Sequence, residues 1–285
     1  GALGSDGSEE GPVETFLTSF EDSDLGMEGV ALVDLGPAGV SWAQSWACRG
    51  KVTCLEVLPP AGSAGAACEA WAGTALGDVC RIRVSPDRSG DNCDNEADSA
   101  MAEEDFASAR VHRGVVASVD VNRQTGQVLS AGYDGRVCLH HASAHGGLGR
   151  PTVHHCTGGA VSYSAVKWCS GDVFLTAGCG VDHFVGLQTW DRRTRGDKVA
   201  GSFTLLEVNN ASASHSPGGS GAGAAGGEGG LILCVDVHPF RPHVCATGHE
   251  GGLVALWDLR REDRPLQCNR LDASSPSPAA TGSPS

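Results

Sequence analysis

The chain has 285 residues, 40% of them hydrophobic and 5% aromatic, with a formal net charge of −14; one all-β domain with a buried core uses that length without a second domain. The acidic balance excludes direct binding of nucleic-acid backbone or anionic lipid as the main role, because either requires a basic surface to displace counterions. No apolar run approaches bilayer-spanning length, and the opening GALGSDGSEE is acidic and glycine-rich rather than a secretory signal, so no membrane insertion is expected.

Taken in chain order, residues 14–35 carry a faint alternation of apolar and polar residues. The pattern sharpens over 51–58, 70–73 and 78–84, with Leu76-Gly77 at the hairpin. It recurs over 115–121, 128–131 and 136–140, led by Val111-His112-Arg113-Gly114 and turned at Tyr133-Asp134-Gly135. A further copy spans 160–168, 173–177 and 186–191. The clearest is LILCVDVHPFRPHVCATGHEGGLVALWDLR, residues 231–260. There Leu231, Leu233, Val235 and Val237 share one face of an extended chain until His238-Pro239 breaks the run. His249-Glu250-Gly251-Gly252 then predicts a tight turn before the alternation resumes over 253–257. Each copy reads as a three-strand antiparallel meander, which cannot bury both of its faces alone. Five in series predict an all-β fold of radially repeated sheets, a β-propeller over 1–272.

Three stretches interrupt this pattern. Residues 86–110 are expected to be a disordered acidic insert, in which the stretch 86–106 holds eight acids against the single base Arg88. Residues 209–230 have the composition of a Gly/Ala-rich flexible insert, and 273–285 that of a low-complexity Ser, Pro and Ala tail. Twelve cysteines stand singly in strand-like runs, as at Cys54, Cys80, Cys138, Cys234 and Cys245, without any C-x-x-C. They read as small buried apolar residues in a reducing compartment. Trp42, Trp46 and Trp71 lie near strand ends, where packing between sheets is expected rather than an exposed patch.

The residues for chemistry do not assemble into a site. Gly221, Gly223 and Gly226 spell G-x-G-x-x-G, but without the strand and helix that present amides to a pyrophosphate, so no cofactor is expected. His140, His141, His145, His154, His155 and Cys156 match no structural zinc spacing. They read as a blade-edge residue followed by a polar loop, and no metal is expected. His238, His243 and His249 read as turn residues at strand ends. Asn210-Ala211-Ser212 fits a glycosylation acceptor that a chain without a secretory signal leaves unmodified. With no G-x-S-x-G and no fixed pair of carboxylates, no catalytic residue is assigned and the protein is not expected to be an enzyme.

His112, Ser130 and Asp134-Gly135 in one unit, Trp168 and Trp190-Asp191 in the next, and Trp257-Asp258 in the last resemble WD-repeat propellers. In that family a loop histidine, a strand hydroxyl, a turn aspartate and a strand tryptophan hold each blade by hydrogen bonds. Every set here is incomplete: His140 stands where tryptophan is expected, and Gly251, beside Glu250, where the turn aspartate is. The strings AGYDGRVCLH, AVSYSAVKWCSGDVFLTAG, GLQTWDRR and the 231–260 stretch are similar, more specifically, to the small forty-three-kilodalton WD-repeat nucleoporin family in its plant and algal form. The resemblance implies a non-catalytic scaffold of the Y-shaped nuclear pore subcomplex, located at the nuclear envelope. It would support mRNA and protein transport and dock on a helical-solenoid nucleoporin. It also implies further blades after Arg260, so the product is expected to be a truncated seven-bladed type; independently, the lack of an initiator Met leads to the expectation of a longer native start. The motif W-D-x-R, at Trp190 to Arg193 and Trp257 to Arg260, supports an alternative, a substrate receptor of a cullin-RING ubiquitin ligase. Arg193 and Arg260 are then the candidate partner-binding residues.

Overall fold

Alternation that leaves one face of a short strand apolar commits each strand to an antiparallel neighbour and each sheet to a second sheet. In the computed structural model, which describes residues 14–37, 39–58, 67–84, 105–141, 147–180, 186–194, 199–203, 230–261 and 264–271, five sheets form in this way. The first holds β1 (Glu14–Asp22), β2 (Met27–Gly36) and β3 (Gly39–Ala47). The second holds β4 (Val52–Leu58), β5 (Cys68–Thr74), β6 (Asp78–Val84) and β7 (Phe106–Arg110). In the third are β8 (Val116–Val121), β9 (Val128–Gly132), β10 (Arg136–His140) and β11 (Thr152–Cys156). The fourth comprises β12 (Val161–Trp168), β13 (Val173–Gly180), β14 (Leu187–Asp191) and β15 (Gly201–Phe203). The fifth comprises β16 (Ile232–Val237), β17 (Val244–His249), β18 (Leu253–Asp258) and β19 (Gln267–Arg270). Neighbours in sequence are neighbours in each sheet, and every pairing is antiparallel. The chain is all-β, and among the described residues no helix is long and apolar enough to cross a membrane.

The outer strands β7, β11, β15 and β19 go beyond the expected three-strand units. Two correct the sequence reading. The last part of the acidic insert expected over 86–110 is β7, where Phe106–Arg110 pairs with β6 from Ile82↔Phe106 to Asp78↔Arg110. The backbone ladder holds it, and Cys80 Sγ meets Ser108 Oγ at 3.5 Å. His154, His155 and Cys156 belong to β11, antiparallel to β10, rather than to a polar loop. Residues 86–104 of the acidic insert, the 209–229 stretch with its glycine fingerprint and acceptor sequence, His145 and the 273–285 tail lie outside the described residues.

Two compact units divide the chain, residues 1–159 and 160–285. In the first, Val30, Leu32 and Trp46 pack on Ala70, Ala72, Cys80 and Ile82, and the other face of that second sheet sets Trp71 and Val79 against Val116, Val119 and Val121. In the second unit, Leu175, Leu187 and Phe203 pack on Cys245, Ala255 and Trp257. Trp46 and Trp71 are thus buried between sheets as expected, whereas Trp42 is 61% exposed. Cys80, Cys138 and Cys245 are buried thiols, but Cys234 and Cys156 are exposed because their side chains lie on uncovered positions of β16 and β11.

The sheets of each unit are also tied through their backbones. β4, β8, β12 and β16 each bulge near the start, leaving Thr53, Ala117, Ser164 and Leu233 out of register. A bulge re-aims its side chain. The Thr53 hydroxyl lies 3.0 Å from the Gly73 carbonyl of its own sheet and 2.5 Å from the Val116 carbonyl of the next. Ser164 repeats this in the second unit, 3.2 Å from Ala177 O and 2.6 Å from Ile232 O. Thr53→Val and Ser164→Ala are each expected to lower unfolding free energy by about 1 kcal/mol in urea titrations, the usual worth of one such bond.

Candidate functional site

Three of the five sheets repeat one geometric rule. A ring on the third strand stands opposite a residue of the second strand, and a hydroxyl lies two residues further along that second strand. In the fifth sheet Trp257 pairs with Cys245, and its Nε1–H donates to Thr247 Oγ1 at 2.8 Å. In the fourth, Trp190 pairs with Phe174 and donates to Thr176 Oγ1 at 2.8 Å. Trp168 is of another kind: it lies on β12, edge-on to Phe174 at 5.7 Å.

In the third sheet the ring is an imidazole. His140 pairs with Val128, and its Nε2 lies 2.8 Å from Ser130 Oγ. Ser130 Oγ is also 2.8 Å from His112 Nε2, and His112 Nδ1 is 2.9 Å from Asp134 Oδ1. The carboxylate orders the protons. It accepts from Nδ1–H of His112, whose Nε2 must then accept the Ser130 hydroxyl, leaving the Ser130 oxygen to accept from Nε2–H of His140. His140 therefore presents a donor where an indole would. Asp134 also accepts from the Arg113 and Arg136 amides, with Gly135 completing the turn at φ +75°. Gly132 has no room for a side chain, because a Cβ there would fall 2.7 Å from His112 Nδ1 and 2.9 Å from Asp134 Oδ1.

The fifth sheet draws its imidazole from a different backbone position. His249, on β17 itself, takes the Thr247 hydroxyl at 2.8 Å through Nε2. The second sheet drops the polar set altogether: Ile82 stands opposite Ala70 at the ring position and Ala72 at the hydroxyl position, both fully buried. The first sheet keeps the ring without its acceptor. Trp46 pairs with Val30, the hydroxyl position is Leu32, and the buried Trp46 Nε1 has no hydrogen-bond partner.

The W-D-x-R strings form corners. Asp191 accepts from Arg193 Nε and Nη2 at 2.9 and 2.6 Å, and Asp258 from Arg260 Nε and Nη2 at 2.8 and 2.6 Å. These forks hold the Asp191 carboxyl down to about 2 and Asp258 lower still. Both guanidinium groups are exposed yet bound to the carboxylate two residues earlier. Among the described residues, no three His, Cys, Asp or Glu side chains converge as metal ligands. Burial pushes the Cys138 and Cys245 thiols up to about 12, which keeps them protonated and weakly nucleophilic.

No protein-family model matches the chain. It is 28% identical over 271 residues to the nuclear pore complex protein NUP43 of Arabidopsis thaliana, a match covering 91% of this chain and 66% of the relative. That relative is a nucleoporin. The resemblance read from the quoted strings is met by this alignment, and the fold class is that of WD-repeat β-propeller blades. The chain spans slightly less than two thirds of the relative's length.

Burial lowers His140 from 6.5 to about 3, with His112 and His141 adding repulsion; burial also lowers His112, outweighing its Asp134 partner. Above the unfolded value of 6.5 both histidines are neutral in either state and stability is complete. As pH falls from 6.5 toward 3 the unfolded chain takes up protons that the folded one refuses, so stability declines. The urea midpoint is expected to drop between about pH 7 and pH 4.5, and His140→Trp, which supplies an N–H that does not titrate, should make that drop shallower. Trp257→Phe is expected to cost about 1–3 kcal/mol by removing the N–H that the buried Thr247 oxygen accepts, whereas Trp46→Phe removes an orphaned donor and should cost less. Urea titrations of the two variants decide the order.

Proposed function

We propose that this chain is a non-catalytic scaffold subunit at the nuclear pore, part of the Y-shaped outer-ring subcomplex that supports nucleocytoplasmic transport. Its partners are other nucleoporins, among them a helical-solenoid member. The observation that carries this reading is the alignment with NUP43 across 91% of the chain. The site geometry supports it from the other side. Its buried hydroxyls, imidazoles and indoles bond to one another within sheets, as they would in a framework. The W-D-x-R arginines are likewise used in closing their own corners.

A tagged chain extracted mildly from nuclear envelopes is expected to co-purify with outer-ring nucleoporins and to mark the nuclear rim. A soluble, partnerless protein would sink the reading. Co-purification with a cullin-ligase adaptor, lost on Arg260→Ala, would favour the ligase-receptor alternative in its place.

A further inference from the structure

The first sheet differs from the other four in strand number, in charge and in what it leaves uncovered. Among the described residues it has three strands where each of the others has four, and β3 pairs only with β2. The free edge of β3 therefore lies where β7, β11, β15 and β19 add a fourth strand in the other sheets. An open edge is a row of unpaired amides and carbonyls, able to accept another extended chain.

Register divides the sheet into two unlike faces. Trp46, Val30 and Leu32 point to the buried core shared with the second sheet. The opposite face sets Phe16, Val33 and Trp42 in one row across the three strands, followed by Leu35 and Val40 in the next. Trp42 is 61% and Val40 67% exposed. Phe20 and Trp42 meet edge to face at 5.3 Å and, with Glu21, Asp22, Asp24 and Leu25, line a shallow groove of about 570 Å³.

Charge selects the occupant. Residues 14–47 contain six acids, Glu14, Glu21, Asp22, Asp24, Glu28 and Asp34, and no Lys, Arg or His. Lys51 reaches Glu21 at 3.2 Å from the following link, but both groups are exposed and that pair is weak. A carboxylate rim around an open indole face suits a cationic side chain, which gains from both. It repels an acidic segment such as GALGSDGSEE at residues 1–10. We propose that the β3 edge and the Phe20–Trp42 groove form a docking site for an extended segment of a partner protein that alternates Lys or Arg with apolar residues and adds as the fourth strand. The inference stands whichever assembly the chain serves.

The test uses the full chain and a fluorescent synthetic peptide, Lys-Val-Arg-Phe-Lys-Val-Arg, read by anisotropy and by hydrogen exchange of the β3 amides. The wild type should bind it, more weakly as salt rises, with β3 amides gaining protection. Trp42→Ala and the double variant Glu21→Lys with Asp24→Lys, all at exposed positions, should each weaken binding at least about tenfold. A peptide N-methylated at alternate residues should lose binding as well, because it cannot extend the sheet. Equal affinity for the variants, or for a peptide with Glu in place of Lys and Arg, would overturn the proposal. So would β3 amides already protected in the free chain: at every concentration they would point to a segment of this chain on the edge, and only at high concentration to a second copy.

Discussion

Face-to-face burial between successive sheets is the constraint on which the rest of this structure depends. A strand of five to seven residues, such as β9 or β4, has one apolar face too small to be stable in a lone sheet. Covering it with the next sheet removes side chains such as Trp71, Ile82, Leu175 and Trp257 from water, each worth roughly 1.5–3 kcal/mol. The polar ring–hydroxyl sets are secondary to that term. The second sheet replaces the set by Ala72 and Ile82 and keeps those positions fully buried, and the first tolerates an unpartnered Trp46 N–H. An orphaned donor costs about 1–3 kcal/mol, which the burial of a whole indole can offset.

Within that limit, one position accepts three chemistries. An indole N–H on a hydroxyl, an imidazole N–H on a hydroxyl and a pair of apolar side chains all occupy the same register positions on the second and third strands. The imidazole version carries a condition the others lack, since His140 donates correctly only while neutral. Burial enforces neutrality, and the fixed carboxylate of Asp134 orders the protons along the row so that no two donors face each other. The loop histidine His112 and the strand histidine His249 reach their hydroxyls from unrelated backbone positions, so the hydroxyl, more than the histidine, is the fixed point of the motif.

The inner three strands of the last four sheets were legible from their apolar patterning, whereas in the first sheet only the faint alternation over 14–35 was, and β3, exposed at most positions, was missed. The outer strands were not legible either. β7, β11 and β19 are largely solvated, so burial imposes no pattern, and their backbone ladders leave no trace in side-chain type. The shared position of His140 and Trp257 could be read from spacing, since each stands ten residues after its hydroxyl. The role of His249 could not, because a histidine at a strand end looks the same whether it turns the chain or accepts a buried bond. Thr53 and Ser164 were hidden by the bulges themselves, which break the two-residue period that makes a strand recognisable. The W-D-x-R arginines drew attention as surface cations, and only the fork geometry revealed that each closes on the aspartate two residues before it.

That last point bears on how so acidic a protein recognises anything. Against 34 acids stand 20 Lys and Arg, and many of the described cations are already engaged: Arg81 on Glu69, Arg192 on Asp172, Arg193 on Asp191 and Arg260 on Asp258. The carboxylates left over set the sign of the field that a partner meets at long range, while the alternating framework leaves edges and outer faces as the contact surface. A rigid acidic framework of this kind discriminates among partners by repulsion as much as by attraction. At the proposed β3 docking site, the carboxylates beside Trp42 would turn away an acidic segment and hold an extended one whose basic side chains flank an apolar stripe.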